Sequence, residues 1–495
     1  MKFCQLPLRQ LEQHLKPHST PISSQLTRRI LKTRTSPQLL NRRSTSIDSE
    51  YNPRFVRCYT KAVPASNLLF GQPVHETHPH VLKPGQLTPG ITAQEYHERR
   101  ARLCQSLPPN SAVVLRSAEL KYRSGAVFYP FRQESNFFYL TGFSEPESIA
   151  VLKRTGDGFG DYKFYLFCRP KDPKKEQWQG PWSGLDAARD VWNADKVGDI
   201  GRYEGSLRGI LLGVNQIFTN TTTGLSLPDV ETKRVDDHVN ALRAVKSPAE
   251  IANMRHAGQA SGRAFTEAMR RPWKYEKKLA AYLEHQYYVY GLDGHAYVPV
   301  VAGGSRANLI HYVLNNAVLN ETDLVLVDSG GEYGYYVTDI TRTWPIAGKF
   351  SQPQKDLYNA VLRAQRSTVS LCRASANVTL DKLHQITENA LCDQLQQLGF
   401  DMSGDAINVL FPHHVGHYVG LDVHDVPGYP RNVVLKTGHC ITVEPGIYVP
   451  DDERWPKAFR GMGIRIEDSV CVNDDSPLIL TTEAVKEVDD IEALR

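Results

Sequence analysis

The stretch PHHVGHYVGLDVHD (residues 412–425) places four histidines and two aspartates in fourteen positions. Imidazole binds metals, moves protons near neutral pH and donates to developing anions. Taken alone, the stretch reads equally well as a solvated histidine tract, so its meaning depends on what the rest of the chain supplies. Asp328 closes the apolar run LVLVD, and Asp339 follows eleven residues later in VTDITRTW. That spacing predicts two adjacent antiparallel strands joined by the glycine-rich turn Gly330–Gly334, with both acids facing one site. Glu444 closes the run HCITVE. Glu467, two residues after Arg465, falls in GIRIEDSV, which reads as an alternating strand. Each acid alone has an ordinary reading as a turn residue, a strand end or half of a surface ion pair. Buried together they are costly unless bound to a cation. Four carboxylates and the imidazole of His417 suit hard or borderline ions, Mn2+ first, with Co2+, Fe2+ and Zn2+ also accommodated. Four negative charges exceed the needs of one divalent ion and fit two, about 3.5–4 Å apart. A serine nucleophile is not indicated, since Ser329 in DSGG lacks the G-x-S-x-G pattern.

The segments VDSGGEYGYYVTDITRT, HHVGHYVGLDVHD, VEPGIY and GIRIEDSV resemble the aminopeptidase P and prolidase group of metallopeptidases. YPFRQESNFFYLTGFSEPES resembles the amino-terminal domain of aminopeptidase P, and the likeness runs from about residue 90 to the end. It implies an α/β (α+β) architecture: a pseudo-symmetric pitta-bread catalytic domain preceded by a creatinase-like α/β domain. It further implies two divalent ions, with Asp328 on one, His417 and Glu444 on the other, and Asp339 and Glu467 bridging. His424 and His413 match positions that contact the scissile region and stabilise the tetrahedral intermediate, and Glu444 is placed to accept the water proton. Tyr297 (in AYVPVVAGG) and His311 (in NLIHYVLNN) match pocket-lining positions. Arg465 matches an arginine behind the metal ligands and is grouped with the substrate-binding set. His414 matches no role and reads as structural. Substrates in the group are Xaa-Pro peptides, Xaa-Pro dipeptides and methionyl termini. The complete histidine stretch and the amino-terminal domain favour aminopeptidase P over the dipeptidase. A binding module that has lost catalysis is the reading from another class, and the full set of five ligand positions opposes it.

Elements must bring these residues together. TAQEYHERRARLCQSL carries a Thr92–Glu95 capping box and helical spacing, while SAVVLRS and FYLFCR read as buried strands. With no group of ligands or nucleophiles between about 90 and 240, this part reads as scaffold and substrate-shaping wall. A second domain opens at KSPAEI, where Ser247 suits N-cap, Pro248 N1 and Glu250 the capping box. Ile251, Met254, Ala257, Ala264 and Phe265 follow at helical spacing. In the site stretch itself, His413 and His417 share a face if the backbone is helical, and His424 falls on a following extended segment. The expected division is residues 1–60 presequence, 61–90 irregular arm, 91–243 amino-terminal domain and 244–495 catalytic domain.

The chain has 495 residues, 41% hydrophobic and 23% charged, which suits two globular domains with extensions. No stretch approaches eighteen uninterrupted apolar residues, so no membrane span is expected. Eight scattered cysteines without C-x-x-C argue against a disulfide framework or a cysteine zinc site. The net charge of +4 conceals an asymmetry. Residues 1–47 hold nine Lys/Arg and one acid, a surplus of eight, so the remainder carries −4 and offers no nucleic-acid surface. An Arg- and Ser/Thr-rich leader resembles a mitochondrial transit peptide, although a basic tail has the same composition. RCYT (57–60) resembles a matrix-protease site that exposes an aromatic residue, and RRST (42–45) competes with it. The leader points to the mitochondrial form of aminopeptidase P, in the matrix or associated with the inner membrane. That form trims one bulky residue from imported proteins, with general Xaa-Pro cleavage as the alternative. Its partners are then peptide or protein N-termini, and a homodimer is allowed.

Overall fold

The computed structural model describes residues 69–495, and Thr92 caps the first helix among the described residues. The expected presequence, its two cut sites and the first part of the arm lie outside the described residues. In α1 (Ala93–Ser106) the Thr92 hydroxyl accepts from the Glu95 amide at 3.2 Å. The Glu95 carboxylate does not close the box. It accepts instead from Arg99, at 2.6 Å, and from Ser247, at 2.7 Å. The apolar runs form a six-stranded sheet of β1 (Ser111–Arg116), β2 (Ile149–Arg154), β3 (Tyr162–Cys168), β4 (Lys196–Asp199), β5 (Gln216–Thr219) and β6 (Glu231–Arg234), in the order β6-β5-β1-β2-β3-β4. Strand β1 runs antiparallel to β2 and parallel to β5, so the sheet is mixed. Helix α2 (Ser135–Thr141) is capped by the Glu134 carboxylate, which accepts from Asn136 and Phe137 amides. Helix α3 (Asp236–Ala244) leads out of the domain.

Helix α4 (Pro248–Met269) has both capping-box bonds between Ser247 and Glu250. Met254, Ala257, Ala264 and Phe265 are buried as the spacing predicts, while Ile251 is half-buried. From here the polypeptide makes two similar halves. In the first, α4 and α5 (Glu276–Val289) accompany an antiparallel sheet of β7 (Val300–Gly303), β8 (Leu324–Asp328) and β11 (Thr341–Pro345), with β9 (Gly331–Tyr333) and β10 (Tyr336–Val337) between the last two. In the second, α6 (Gln352–Ser370) and α7 (Leu380–Gln397) accompany β12 (Cys440–Val443), β15 (Asp468–Val472) and β16 (Pro477–Ile479). A small ribbon of β13 (Gly446–Tyr448) and β14 (Gly463–Arg465) lies between β12 and β15 in sequence. Val325, Val327, Trp344, Leu357, Leu383, Ile441, Val443 and Ile466 share one core. Each such side chain contributes about 1.5–3 kcal/mol through burial. This two-halved arrangement is the pitta-bread architecture. No helix among the described residues is long and apolar enough to cross a membrane.

Three local expectations are corrected. Strands β8 and β11 are antiparallel, with Asp328 opposite Thr341, but Asp339 lies two residues before β11. The segment between the acids is no simple turn, because β9 and β10 pair with each other and leave Gly334–Tyr335 at their tip. Glu467 sits between β14 and β15, and every residue from Gly463 to Val472 is buried. Both faces are covered there, so no alternation exists to read. Residues 411–425 form no helix. Val415 and His417 instead hydrogen-bond through their carbonyls to the amides of Glu444 and Thr442, each at 2.8 Å.

Candidate metal centre

Strand ends deliver the acids to one place. Asp328 ends β8, Glu444 follows β12, and Glu467 precedes β15. Gly416 lets the His417 segment lie against β12, since a Cβ there would meet the Thr442 carbonyl oxygen at 2.0 Å. His417 Nε2 then lies 3.5 Å from Asp339 Oδ2 and 3.4 Å from Glu444 Oε1. Ligand atoms of Asp339, His417 and Glu467 fall within 4.8 Å of one another. The Tyr297 hydroxyl is shared between Asp328 Oδ1, at 2.6 Å, and Asp339 Oδ1. The five expected ligand positions therefore converge.

The donor set fits divalent cations. His417 Nδ1 donates to the Tyr418 carbonyl at 3.0 Å, which leaves the lone pair of Nε2 facing two carboxylates. Acceptors so arranged repel unless a cation stands between them. Glu467 repeats the signal. Its Oε2 accepts from Thr341 Oγ1 at 2.6 Å, whereas its buried Oε1 has no partner. Without metal, protons take the cation's place. Burial, then the charges of Asp339, Glu444 and Asp328, hold the Glu467 carboxyl well above its usual range. Burial and Asp339 likewise raise Asp328. Burial lifts Glu444 to about 7 against the pull of His417 and Arg465. Burial opposes charge on His417, yet its hydrogen bond with Asp339 and the charges of Glu444 and Asp339 win and raise it to about 9.

The remaining expected residues separate into two groups. His311, His413, His417, His424 and Glu444 line one cavity of about 500 Å3 together with Ile310, Tyr418 and Arg431. The rings of His424 and His417 are 4.4 Å apart and nearly perpendicular. Burial and the neighbouring His417 lower His424, while burial and Arg465 lower His413 to about 3, so both are neutral donors or acceptors at pH 7. Tyr297, expected as a lining residue, has its hydroxyl on the carboxylates instead. Arg465, grouped with substrate-binding residues, is buried behind them. It donates to Asp328 Oδ2 (2.6 Å), Thr341 Oγ1 (3.0 Å) and the Tyr448 hydroxyl (2.6 Å). No donor of Arg465 is aimed into the cavity by these bonds. His414, read as structural, donates from Nδ1 to the Gly416 carbonyl at 2.8 Å and stacks on His384, centroids 4.5 Å apart.

Sequence reasoning missed Tyr448 and Thr341. Tyr448 joins His413 Nε2, at 2.9 Å, to Arg465, and Thr341 joins Glu467 to Arg465. Their signals were weak: a tyrosine four residues after Glu444 and a threonine two after Asp339. Also unforeseen is the anchor of the His424 segment. Arg243 and Lys246 clamp Asp425, with Lys246 Nζ at 2.9 Å. Against burial, their charges hold that carboxyl down at about 2.

Comparison with known proteins places this geometry. Residues 252–474 match the model for metallopeptidase family M24, and residues 96–218 match that for the aminopeptidase P N-terminal domain. Intermediate cleaving peptidase 55 of Saccharomyces cerevisiae is 40% identical over 448 residues, covering 85% of this chain and 88% of that protein. The mitochondrial intermediate cleaving peptidase 55 of Arabidopsis thaliana is 35% identical, covering 86% and 87%. The structure of aminopeptidase P from Escherichia coli with the inhibitor Pro-Leu superposes with a TM-score of 0.76 at 32% identity, covering 82% of this chain and 98% of that one.

Proposed function

The chain belongs to metallopeptidase family M24, in its aminopeptidase P group, and from that premise we propose that it removes a single N-terminal residue from imported mitochondrial proteins after presequence cleavage. One observation carries the hydrolytic part of this reading. Asp339, Glu444 and Glu467 gather around His417, Asp328 is tied to Asp339 through the Tyr297 hydroxyl, and the buried Glu467 Oε1 has no partner. Asp328, Asp339, His417, Glu444 and Glu467 would hold two divalent ions, Mn2+ by donor chemistry. When bound, such ions supply Lewis acidity and bring the pKa of water near neutrality.

The chain's own groups do the rest. Glu444 borders the cavity and takes the proton of the attacking water. His424, neutral and facing the same cavity, donates to the carbonyl oxygen as it gains charge, while His413, with its Nδ1–H given to the His414 carbonyl and its Nε2 accepting from Tyr448, lines the cavity beside it. His311 borders the pocket that receives the second residue. Tyr297 fixes the paired carboxylates of Asp328 and Asp339 at the end where the free α-amine is received, which confines cleavage to the first peptide bond. Arg465 fixes Asp328 from behind.

The basic leader and the mitochondrial name of the Arabidopsis relative support a mitochondrial address, in the matrix or at the inner membrane. In this reading residues 1–60 hold the presequence, residues 61–90 an arm, residues 91–243 shape the site and residues 244–495 catalyse. The enzyme works on peptide and protein N-termini and has room for a homodimeric state. RCYT makes it a candidate for maturing its own kind. Cleavage of Xaa-Pro peptides in general is the second reading, supported by the aminopeptidase P N-terminal domain. N-terminal proteomics of mitochondria with and without the protein separates the two. Termini longer by one residue in its absence support trimming, and unchanged termini leave only Xaa-Pro cleavage. About two equivalents of metal in the purified protein, and cleavage of a tripeptide but not a dipeptide, are expected under both.

A further inference from the structure

Arg132 belongs to the amino-terminal domain, just before α2, and its side chain is 37% exposed. Its guanidinium works in several directions. Nε donates to Glu332 Oε2 at 2.9 Å, on the β9–β10 hairpin between Asp328 and Asp339. Nη2 donates to the Leu421 carbonyl, and Nη1 lies 3.6 Å from Asp422 Oδ1, on the segment that leads to His424. The guanidinium carbon also lies 5.5 Å from the ring centroid of Tyr335, at the tip of the same hairpin. Neighbours on α2 repeat the pattern. Ser135 Oγ donates to Asp422 Oδ1 at 2.6 Å, and Phe138 stacks on Tyr335 with centroids 4.0 Å apart.

The segments so held have little regular structure of their own. Residues 421–425 lie in no strand or helix. Val426, two residues after His424, has φ +47°. A β-branched residue persists in that region only where its surroundings impose it. Tyr335 at the hairpin tip also has positive φ, at +72°. Tyr335 is itself in contact with Arg132, while Val426 follows Asp425, which Arg243 and Lys246 clamp.

We propose that Arg132 is a positioning residue for the peptidase reaction: through Glu332 and through Leu421–Asp422 it sets the His424 segment in register with the hairpin between Asp328 and Asp339. The amino-terminal domain thereby takes part in the geometry of catalysis and not only in shaping the pocket. The role needs a planar fork with separate donors. A lysine ammonium is a point charge and does not span a carboxylate and a carbonyl in this way. The proposal rests on the peptidase reading above.

The test uses full-length, metal-loaded protein and the variants Arg132→Gln, Arg132→Lys, Glu332→Gln and the double variant Arg132→Gln/Glu332→Gln. Lys153→Ala serves as comparator, because Lys153 Nζ joins β2 to the Ile210 carbonyl at 2.8 Å inside the amino-terminal domain, away from these segments. Arg132→Gln and Arg132→Lys are expected to lower kcat about 10-fold or more, the scale set by small misplacements of reacting groups. KM and metal content should stay near wild type, and the double variant should be no worse than Arg132→Gln. Hydrogen exchange should quicken in residues 418–426 and 331–338 of the Arg132 variants and not of Lys153→Ala. Wild-type kcat in both Arg132 variants, equal losses in Lys153→Ala, or losses that track metal content would overturn the proposal. If Arg132→Gln does not fold, Arg132→Lys and Glu332→Gln carry the same comparison. An inactive wild type would instead refute the peptidase reading, while the exchange pattern still reports on Arg132.

Discussion

Thr341 is a small residue with two duties: its hydroxyl donates to Glu467 Oε2 at 2.6 Å and accepts from Arg465 Nε at 3.0 Å. It orients one carboxylate directly and, through Arg465, a second one on Asp328. Valine has the same shape without the hydroxyl. Thr341→Val should therefore leave the fold intact and cost about 10–100-fold in metal affinity or kcat/KM, the range for groups that orient metal ligands. Titration of the metal-free protein with Mn2+, alongside peptide hydrolysis, checks this. An unchanged affinity would show that Glu467 needs no orientation. Glu444 is a sharper case, because it both borders the cavity and faces His417 at 3.4 Å. Glu444→Gln keeps the volume and removes proton acceptance, so kcat should fall by about 10²-fold or more. Retention of both equivalents of metal in that variant would locate the loss in proton transfer and not in ion binding.

Elements deliver these residues only because certain backbones touch. A Cβ at Gly416 would meet the Thr442 carbonyl oxygen at 2.0 Å, so Gly416→Ala must push the His417 segment off β12. A loss of about 1–3 kcal/mol in stability is expected from such overpacking, together with weaker metal binding. Gly205, exposed in a short helix with nothing near its missing Cβ, is the contrast. Gly205→Ala should be stabilising by about 0.5–1 kcal/mol. Thermal melts of the two variants decide both points. The same contacts explain what could be read beforehand. Apolar runs ending in Asp328 and Glu444 marked strands, and Ser247–Glu250 marked a helix start, because each signal is local. Alternation was wrongly expected around Glu467, where both faces are covered. The hairpin β9–β10 was read as a turn, since nothing local tells that Tyr335 will stack on Phe138 nearly two hundred residues earlier. That the five ligands meet came from resemblance. Spacing alone paired only Asp328 with Asp339. Arg132 and Arg243 went unread for the same reason, as their partners are distant in the chain, and Arg465 was placed by resemblance alone.

For the molecule as a whole, metal decides how stability responds to pH. In the metal-free protein Glu444 sits at about 7, above the usual carboxylate value of 4.5, so its burial costs nothing below pH 4.5 and progressively more as pH rises towards 7. Glu467 and Asp328 are displaced in the same direction. His417 sits at about 9, above the ordinary 6.5, so its stabilisation is complete below pH 6.5 and is lost as pH rises through 9. All four groups therefore make the metal-free protein less stable between pH 5 and 9. A displacement of this size corresponds to about 3 kcal/mol for Glu444 or His417. The two face one another across 3.4 Å, so the contributions are shared and do not add. Asp425 works oppositely, but at about 2 its contribution is complete above pH 4 and stays flat across this window. Bound cations replace the protons, and affinity for them rises with pH because the ligands must be deprotonated. Saturation at 100-fold above Kd adds about 2.7 kcal/mol. The difference in Tm between Mn2+-loaded and chelator-treated protein should thus widen from pH 5.5 to 8.5, with the metal-free Tm falling. A metal-free Tm that rises over that interval would mean that these carboxylates are not crowded together, and the assignment of the site would fall with it.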